Sequence, residues 1–130
     1  MTSETRTGII IGGALLIVLF FALGIYNQNN GSSANVSDEF AQCLTDNGAK
    51  MYGAYWCAHC KEQKEAFGNA WDKINYIECA ANSAGGQTAE CAAAGIESYP
   101  TWTFADGSRA SGKQEMDFLA GKTGCTIEQE

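Results

Sequence analysis

An α/β domain with a central mixed sheet, preceded by a single membrane-spanning helix, is the architecture this sequence predicts. Residues 8–26, GIIIGGALLIVLFFALGIY, contain no charged residue. Beyond residue 37, short strand-like runs alternate with helical ones. A βαβ stretch there is followed by a hairpin, so parallel and antiparallel pairs must share one sheet.

The chain has 130 residues, room for one domain. As a helix, residues 8–26 reach roughly 28 Å at about 1.5 Å per residue, close to the thickness of a bilayer's hydrocarbon layer. Arg6 precedes the segment, and no basic residue follows until Lys50. The positive-inside rule then places residues 1–7 in the cytoplasm. Everything after Tyr26 falls on the periplasmic, lumenal or extracellular side. A cleaved signal peptide, with a small-x-small site at Ala22-Leu23-Gly24, is the competing reading. Residues 27–36 are polar and read as a flexible tether. The folded domain is expected over 37–130.

Within that domain, Ser37 is a good N-cap and Gly48 a good stop for a first helix. Phe40, Ala41 and Leu44 share one of its faces. AKMYGAY reads as a short buried strand. A second helix is expected from Cys57 to Asp72, with Phe67, Ala70 and Trp71 inward, followed by Ile74 on the same side. INYIEC is the next strand. Thr88 can cap a short helix over AECAAA, which Gly95 ends. TWTF is a strand, Asp106-Gly107 a hairpin turn and SRASG the returning strand. A last helix is expected from Gln114 to Lys122, before Gly124.

The net charge is −7, and nearly all acidic residues lie in the domain. No basic patch of the kind that nucleic-acid binders carry appears. Six cysteines are many for so short a chain, and they suit an exported domain, where disulfides persist. Cys57 and Cys60 form a Cys-x-x-Cys, a spacing shared by zinc sites and redox sites. Zinc needs four ligands. Cys79 and Cys91 are too widely spaced to repeat the motif, and His59 is the only histidine. No metal and no cofactor is therefore expected.

Redox chemistry asks for a different setting. The thiolate is the nucleophile, and a helix start favours it through free N–H groups and positive partial charge. Cys57 sits at the expected strand-to-helix junction. Cys60, one turn inward, is placed to resolve a mixed disulfide. His59, when protonated, adds positive charge. Stabilising the reduced thiolate form makes a disulfide more oxidising.

YWCAHCK, an aromatic residue before Cys-x-x-Cys at a helix start, and SYPTW, a proline before threonine in a strand, together resemble the thioredoxin superfamily. FAQCLTDNGAKMYGAYWCAHCKEQKEAFG, YIEC, AGIESYPTWTFADG and KTGC further resemble the thioredoxin-like domain associated with bacterial vitamin K epoxide reductase homologues. The resemblance covers roughly residues 37–125 and implies a thioredoxin fold. It implies Cys57 as nucleophile, Cys60 as resolving thiol and Pro100 as a substrate-facing cis proline. It also implies cysteine-containing exported proteins as substrates, and a quinone-linked membrane partner like vitamin K epoxide reductase. Two positions depart from the pattern. Ala58 stands where many relatives have proline. Met51 stands where general thioredoxins have a buried acid assisting the resolving thiol.

The other four cysteines are expected to pair as Cys43–Cys125, tying the domain's ends together, and Cys79–Cys91, closing the Gly-rich loop. A second redox pair at Cys79 and Cys91 is the alternative. Trp56, with Tyr55, is a candidate for the substrate rim. Tyr99 and Thr101, beside Pro100, are candidates for pairing with a substrate strand at an open sheet edge, or for plain core packing. Trp102 is expected in the core, its indole N–H seeking a partner. The whole reads as a membrane-anchored thiol-disulfide oxidoreductase that oxidises exported dithiols and is reoxidised by its membrane partner. The alternatives are a disulfide reductase or isomerase fed by a membrane electron carrier, and a non-catalytic module stapled by all six cysteines.

Overall fold

A computed structural model describes residues 36–82 and 85–128. The expected cytoplasmic N-terminus (1–7), the anchor (8–26) and all but the last residue of the tether (27–36) lie outside the described residues. Among the described residues, no helix is long and apolar enough to cross a membrane.

Helix α1 spans Asp38–Asp46, and the Ser37 side chain accepts from the Phe40 N–H at its start. Asn47 caps its end, and Gly48 follows at φ +82°. Positive φ is nearly cost-free for glycine alone. Strand β1 is Lys50–Gly53 and helix α2 Ala58–Phe67. The second helix does not run on to Asp72 as the hydrophobic spacing suggested. Gly68 terminates it at φ +56°, and a 3₁₀ helix, Gly68–Lys73, continues the chain. The apolar positions after Gly68 still face inward, because a 3₁₀ turn also returns to one side every third residue. Ala70 and Ile74 are buried and Trp71 half-buried.

Strand β2 is Tyr76–Glu78, helix α3 Ala89–Ala93, strand β3 Thr101–Thr103 and strand β4 Arg109–Ser111. Helix α4 is Met116–Thr123 and ends at a left-handed Gly124. It begins two residues later than Gln114. Gln114 is held in the loop, its N–H donating to Gln63 Oε1 and its side chain to the Ser111 and Gly112 carbonyls.

The sheet order is β2-β1-β3-β4. Strand β1 runs parallel to β2 and antiparallel to β3, and β3 runs antiparallel to β4. Neighbouring residues of β1 face opposite ways. Met51 packs with Phe40, Leu44, Phe67, Trp102 and Leu119, so α1, α2 and α4 cover that face. Tyr52 packs with Cys79, Cys91 and Ile96 on the other face, which α3 covers. Fully burying a large apolar side chain contributes about 1.5–3 kcal/mol.

Trp102 is fully buried, and its indole N–H donates to Gln63 Oε1 at 3.3 Å. Gln63, also fully buried, donates in turn to the Gln114 carbonyl at 3.1 Å. This one amide joins α2 to β3 and to the loop before α4. Two disulfides complete the frame. Cys43–Cys125 ties α1 to the segment after α4, and Cys79–Cys91 ties the end of β2 to α3. Closing an 82-residue span and a 12-residue span contributes about 4–5 and about 3 kcal/mol by loop-closure entropy.

Candidate active site

Strand β1 delivers the chain to a tight turn in which the Cys57 N–H donates to the Ala54 carbonyl at 3.0 Å. Cys57 is the N-cap of α2. Its backbone is extended, at φ −75° and ψ 119°, and its sulfur accepts from the Cys60 N–H at 3.3 Å. The two residues before it stand out from the surface, Tyr55 57% and Trp56 56% exposed. The sulfurs themselves are sheltered, with Cys57 7% and Cys60 5% exposed. Both are free of the two structural disulfides.

Cys60 sits behind Cys57 against the sheet. Burial pushes its thiol up to about 12, and the hydrogen bond with the Cys57 side chain and the charges of Cys57 and Glu78 act in the same direction. Cys60 is therefore a thiol at neutral pH. The close packing has a specific origin at Gly53. A Cβ there would lie 2.9 Å from the Tyr76 ring and 3.0 Å from Cys60 Sγ. Only a residue without a side chain leaves room over β1 for both the sulfur and the ring.

Beyond that contact lies a small network on β2. The Tyr76 hydroxyl donates to Glu78 Oε2 at 2.8 Å. Glu78 Oε1 accepts from the Tyr55 N–H at 3.2 Å and the Ala80 N–H at 2.9 Å. The same groups line a cavity of about 310 Å³, whose wall includes Cys60, Tyr76, Glu78, Lys61 and Lys64.

The second motif approaches from β3. The Tyr99–Pro100 peptide is cis, and Pro100 is fully buried. The Tyr99 ring meets Trp56 edge-to-face, centroids 5.9 Å apart, which brings SYPTW beside YWCAHCK. Tyr99 Oη accepts from Gln87 at 3.0 Å. Thr101 is buried, its hydroxyl donating to the Ser98 carbonyl at 2.8 Å. The open edge expected beside Pro100 is not at Thr101, because β3 lies between β1 and β4. The Pro100 carbonyl is also taken, by the Gly112 N–H at 2.8 Å. His59 is exposed, and its Nδ1 lies 3.2 Å from Glu62 Oε2, so a carboxylate adjoins any positive charge it carries. Among the described residues, no group of three His, Cys, Asp or Glu side chains is placed to hold a metal.

Sequence reasoning passed over Gly53, Gln63, Tyr76 and Glu78. One signal for the last two was present. Two residues apart on a strand, they share a face, and that face is also the one that Met51 and Gly53 present on the neighbouring strand.

A family model described as thioredoxin matches residues 33–122. Among curated proteins, the thiol-disulfide oxidoreductase LTO1 of Arabidopsis thaliana is 42% identical over 104 residues. That match covers 77% of this chain and 27% of the relative. The chain thus spans about a quarter of the length of the curated protein it matches.

Proposed function

The chain belongs to the thioredoxin family, and we propose that it is a membrane-anchored protein disulfide oxidoreductase that oxidises exported dithiols. The observation that carries this reading is the contrast among the six cysteines. Four are tied into the frame as disulfides, and Cys57 and Cys60 are left unbonded at a helix start beneath an exposed aromatic rim.

In the oxidised enzyme a substrate thiolate attacks Cys57 Sγ. The Cys57–Cys60 bond breaks, and its electron pair leaves on Cys60. The second substrate thiol then attacks the substrate sulfur of the mixed disulfide. The substrate departs with its own disulfide, leaving the dithiol enzyme. Trp56 and Tyr99 offer an apolar platform beside Cys57 for the flanking substrate residues. A quinone-linked membrane protein of the vitamin K epoxide reductase type then takes the electron pair. Support for the oxidising direction comes from the expected exported location, where disulfides persist.

The test is refolding of a reduced, disulfide-containing substrate by the oxidised full-length chain, together with the reduction potential of Cys57–Cys60. Oxidation of the substrate, at a potential well above about −270 mV, is expected. A potential near that value, with the domain isolated from cells as the dithiol, overturns the direction. Trapping mixed disulfides with Cys60→Ala identifies the substrates and the membrane partner.

A further inference from the structure

Reoxidation of the dithiol enzyme makes a demand that Cys57 alone does not meet. Once Cys57 is joined to an oxidising partner, Cys60 must give up its proton to attack Cys57 Sγ. It has to do so from a sheltered site in which the thiol form is favoured. The position from which general thioredoxins serve this step with an acid holds Met51 here, fully buried in the core.

We propose that Tyr76 and Glu78 are the proton relay of Cys60, an acid supplied from β2 in place of the one absent from β1. The proposal rests on disulfide exchange at Cys57–Cys60. Its geometry starts at Gly53. The point where a Cβ would stand is 3.0 Å from Cys60 Sγ and 3.3 Å from Tyr76 Oη, so sulfur and hydroxyl both border the space over the same bare glycine. The hydroxyl is already turned outward, donating to Glu78 Oε2 at 2.8 Å. Glu78 is partly exposed, so a proton that reaches it can pass to solvent. The hydrogen bond therefore points the way the proton must travel.

In the resolving step the Cys60 S–H bond breaks, and its proton moves through the cavity to Tyr76 Oη. Tyr76 passes its own proton to Glu78 Oε2. The electron pair left on Cys60 forms the Cys57–Cys60 bond, and the bond from Cys57 to the partner breaks, its pair leaving on the partner's sulfur. Burial and the Glu78 hydrogen bond hold the Tyr76 hydroxyl above the usual phenol range, so it hands protons on without staying ionised. The charged and titratable groups around Cys60 are Cys57 at the start of its own helix, Lys61 and Lys64 on that helix, Tyr55 in the loop, and Tyr76 and Glu78 on β2. Of these, Tyr76 shares the space over Gly53 with Cys60 Sγ, and it is hydrogen-bonded in turn to Glu78.

An aromatic disulfide such as dithiobis(nitrobenzoate) separates the two chemical steps on the reduced full-length chain. Attack by Cys57 releases a first thionitrobenzoate, and resolution by Cys60 releases a second. Glu78→Gln and Tyr76→Phe are expected to slow the second release about a hundredfold near neutral pH. The first release keeps its wild-type rate, and the defect shrinks as rising pH supplies hydroxide. A second release at wild-type speed in the variants overturns the relay, as does equal slowing of both releases, which marks a merely structural latch. Should Glu78→Gln not fold, Tyr76→Phe decides alone, since it leaves the Glu78 bonds to the Tyr55 and Ala80 N–H groups in place. A wild-type chain with no second release overturns the oxidoreductase reading itself, an outcome distinct from failure of the relay.

Discussion

Thr88 and Cys57 occupy the same slot at the starts of α3 and α2. Each has an extended backbone, and each side chain accepts from the N–H three residues on, Cys91 in one helix and Cys60 in the other. The distances are 3.4 Å and 3.3 Å. In both helices the residue whose N–H is accepted is itself a cysteine. At α3 the cap is a hydroxyl, and the cysteine behind it is fully buried and bonded to Cys79. At α2 the cap is a sulfur, and the cysteine behind it is free and is the resolving thiol of the proposed reaction. A helix start that satisfies backbone donors becomes a reactive site when the capping atom is itself a nucleophile and lies at a rim.

Cys57→Ser breaks this comparison most severely, since it gives α2 the kind of cap that α3 has. We expect exchange activity to fall by at least about a thousandfold, measured by insulin reduction or oxidative refolding. The melting temperature should hold, because serine is a strong N-cap. Unchanged activity would refute Cys57 as the nucleophile.

Removing the other pair, with Cys79→Ala and Cys91→Ala together, should cost about 3 kcal/mol in urea unfolding. The folded fraction should still exchange through Cys57. Loss of exchange from a protein that remains folded would point instead to a second redox pair.

The reduced chain should also lose stability as pH rises from about 9 to about 12. The folded Cys60 thiol is held up to about 12 from an ordinary value of 9.0, so over that window the unfolded chain sheds its proton while the folded one keeps it. The stabilisation is complete below the lower value and lost through the upper one. Denaturant titrations of reduced and oxidised protein across this window read the effect, and the oxidised form should lack it. Thr88→Ala sharpens the comparison from the other side. It should cost about 1 kcal/mol, as cap removal does, and leave the rate of exchange at Cys57 unaltered.

Much of the fold was legible from local chemistry. Ser37, Thr88 and Gly124 mark helix ends through side chains and backbone freedom that act within a few residues. The strand-helix-strand order after Gly48 forces a parallel pair, and Asp106-Gly107 forces an antiparallel one. Gly68 was harder to read. A glycine within an apolar helical pattern is tolerated or breaks the helix according to packing that neighbours in sequence do not reveal. Thr101 shows a similar limit. Whether its strand is an edge depends on β1 pairing on the side away from β4, and sequence order alone leaves that choice open.

The site divides along the same line. The Cys57–Cys60 pair announces itself by spacing and by its place before a helix. The groups that surround Cys60 do not. Gly53 reads as an ordinary strand glycine until the register sets Glu78 opposite it. Gln63 reads as a surface residue of an amphipathic helix until Trp102 is found donating to it. Each depends on a contact across the sheet or between layers, and such contacts exist only once the chain has folded.

Two of the three tryptophans, Trp56 and Trp102, are also optically distinct. Trp102 lies in the dry core with its N–H bonded, and its fluorescence belongs at the blue end of the indole range. Trp56 stands in solvent next to Cys57 and belongs at the red end. Disulfides and thiolates quench indole emission by contact, so the red component should rise and fall with the state of the neighbouring sulfur while the blue one stays constant. With Trp71, which lines the Cys60 cavity, replaced by phenylalanine, the protein carries its own ratiometric reporter of disulfide exchange, with Trp102 as the internal standard.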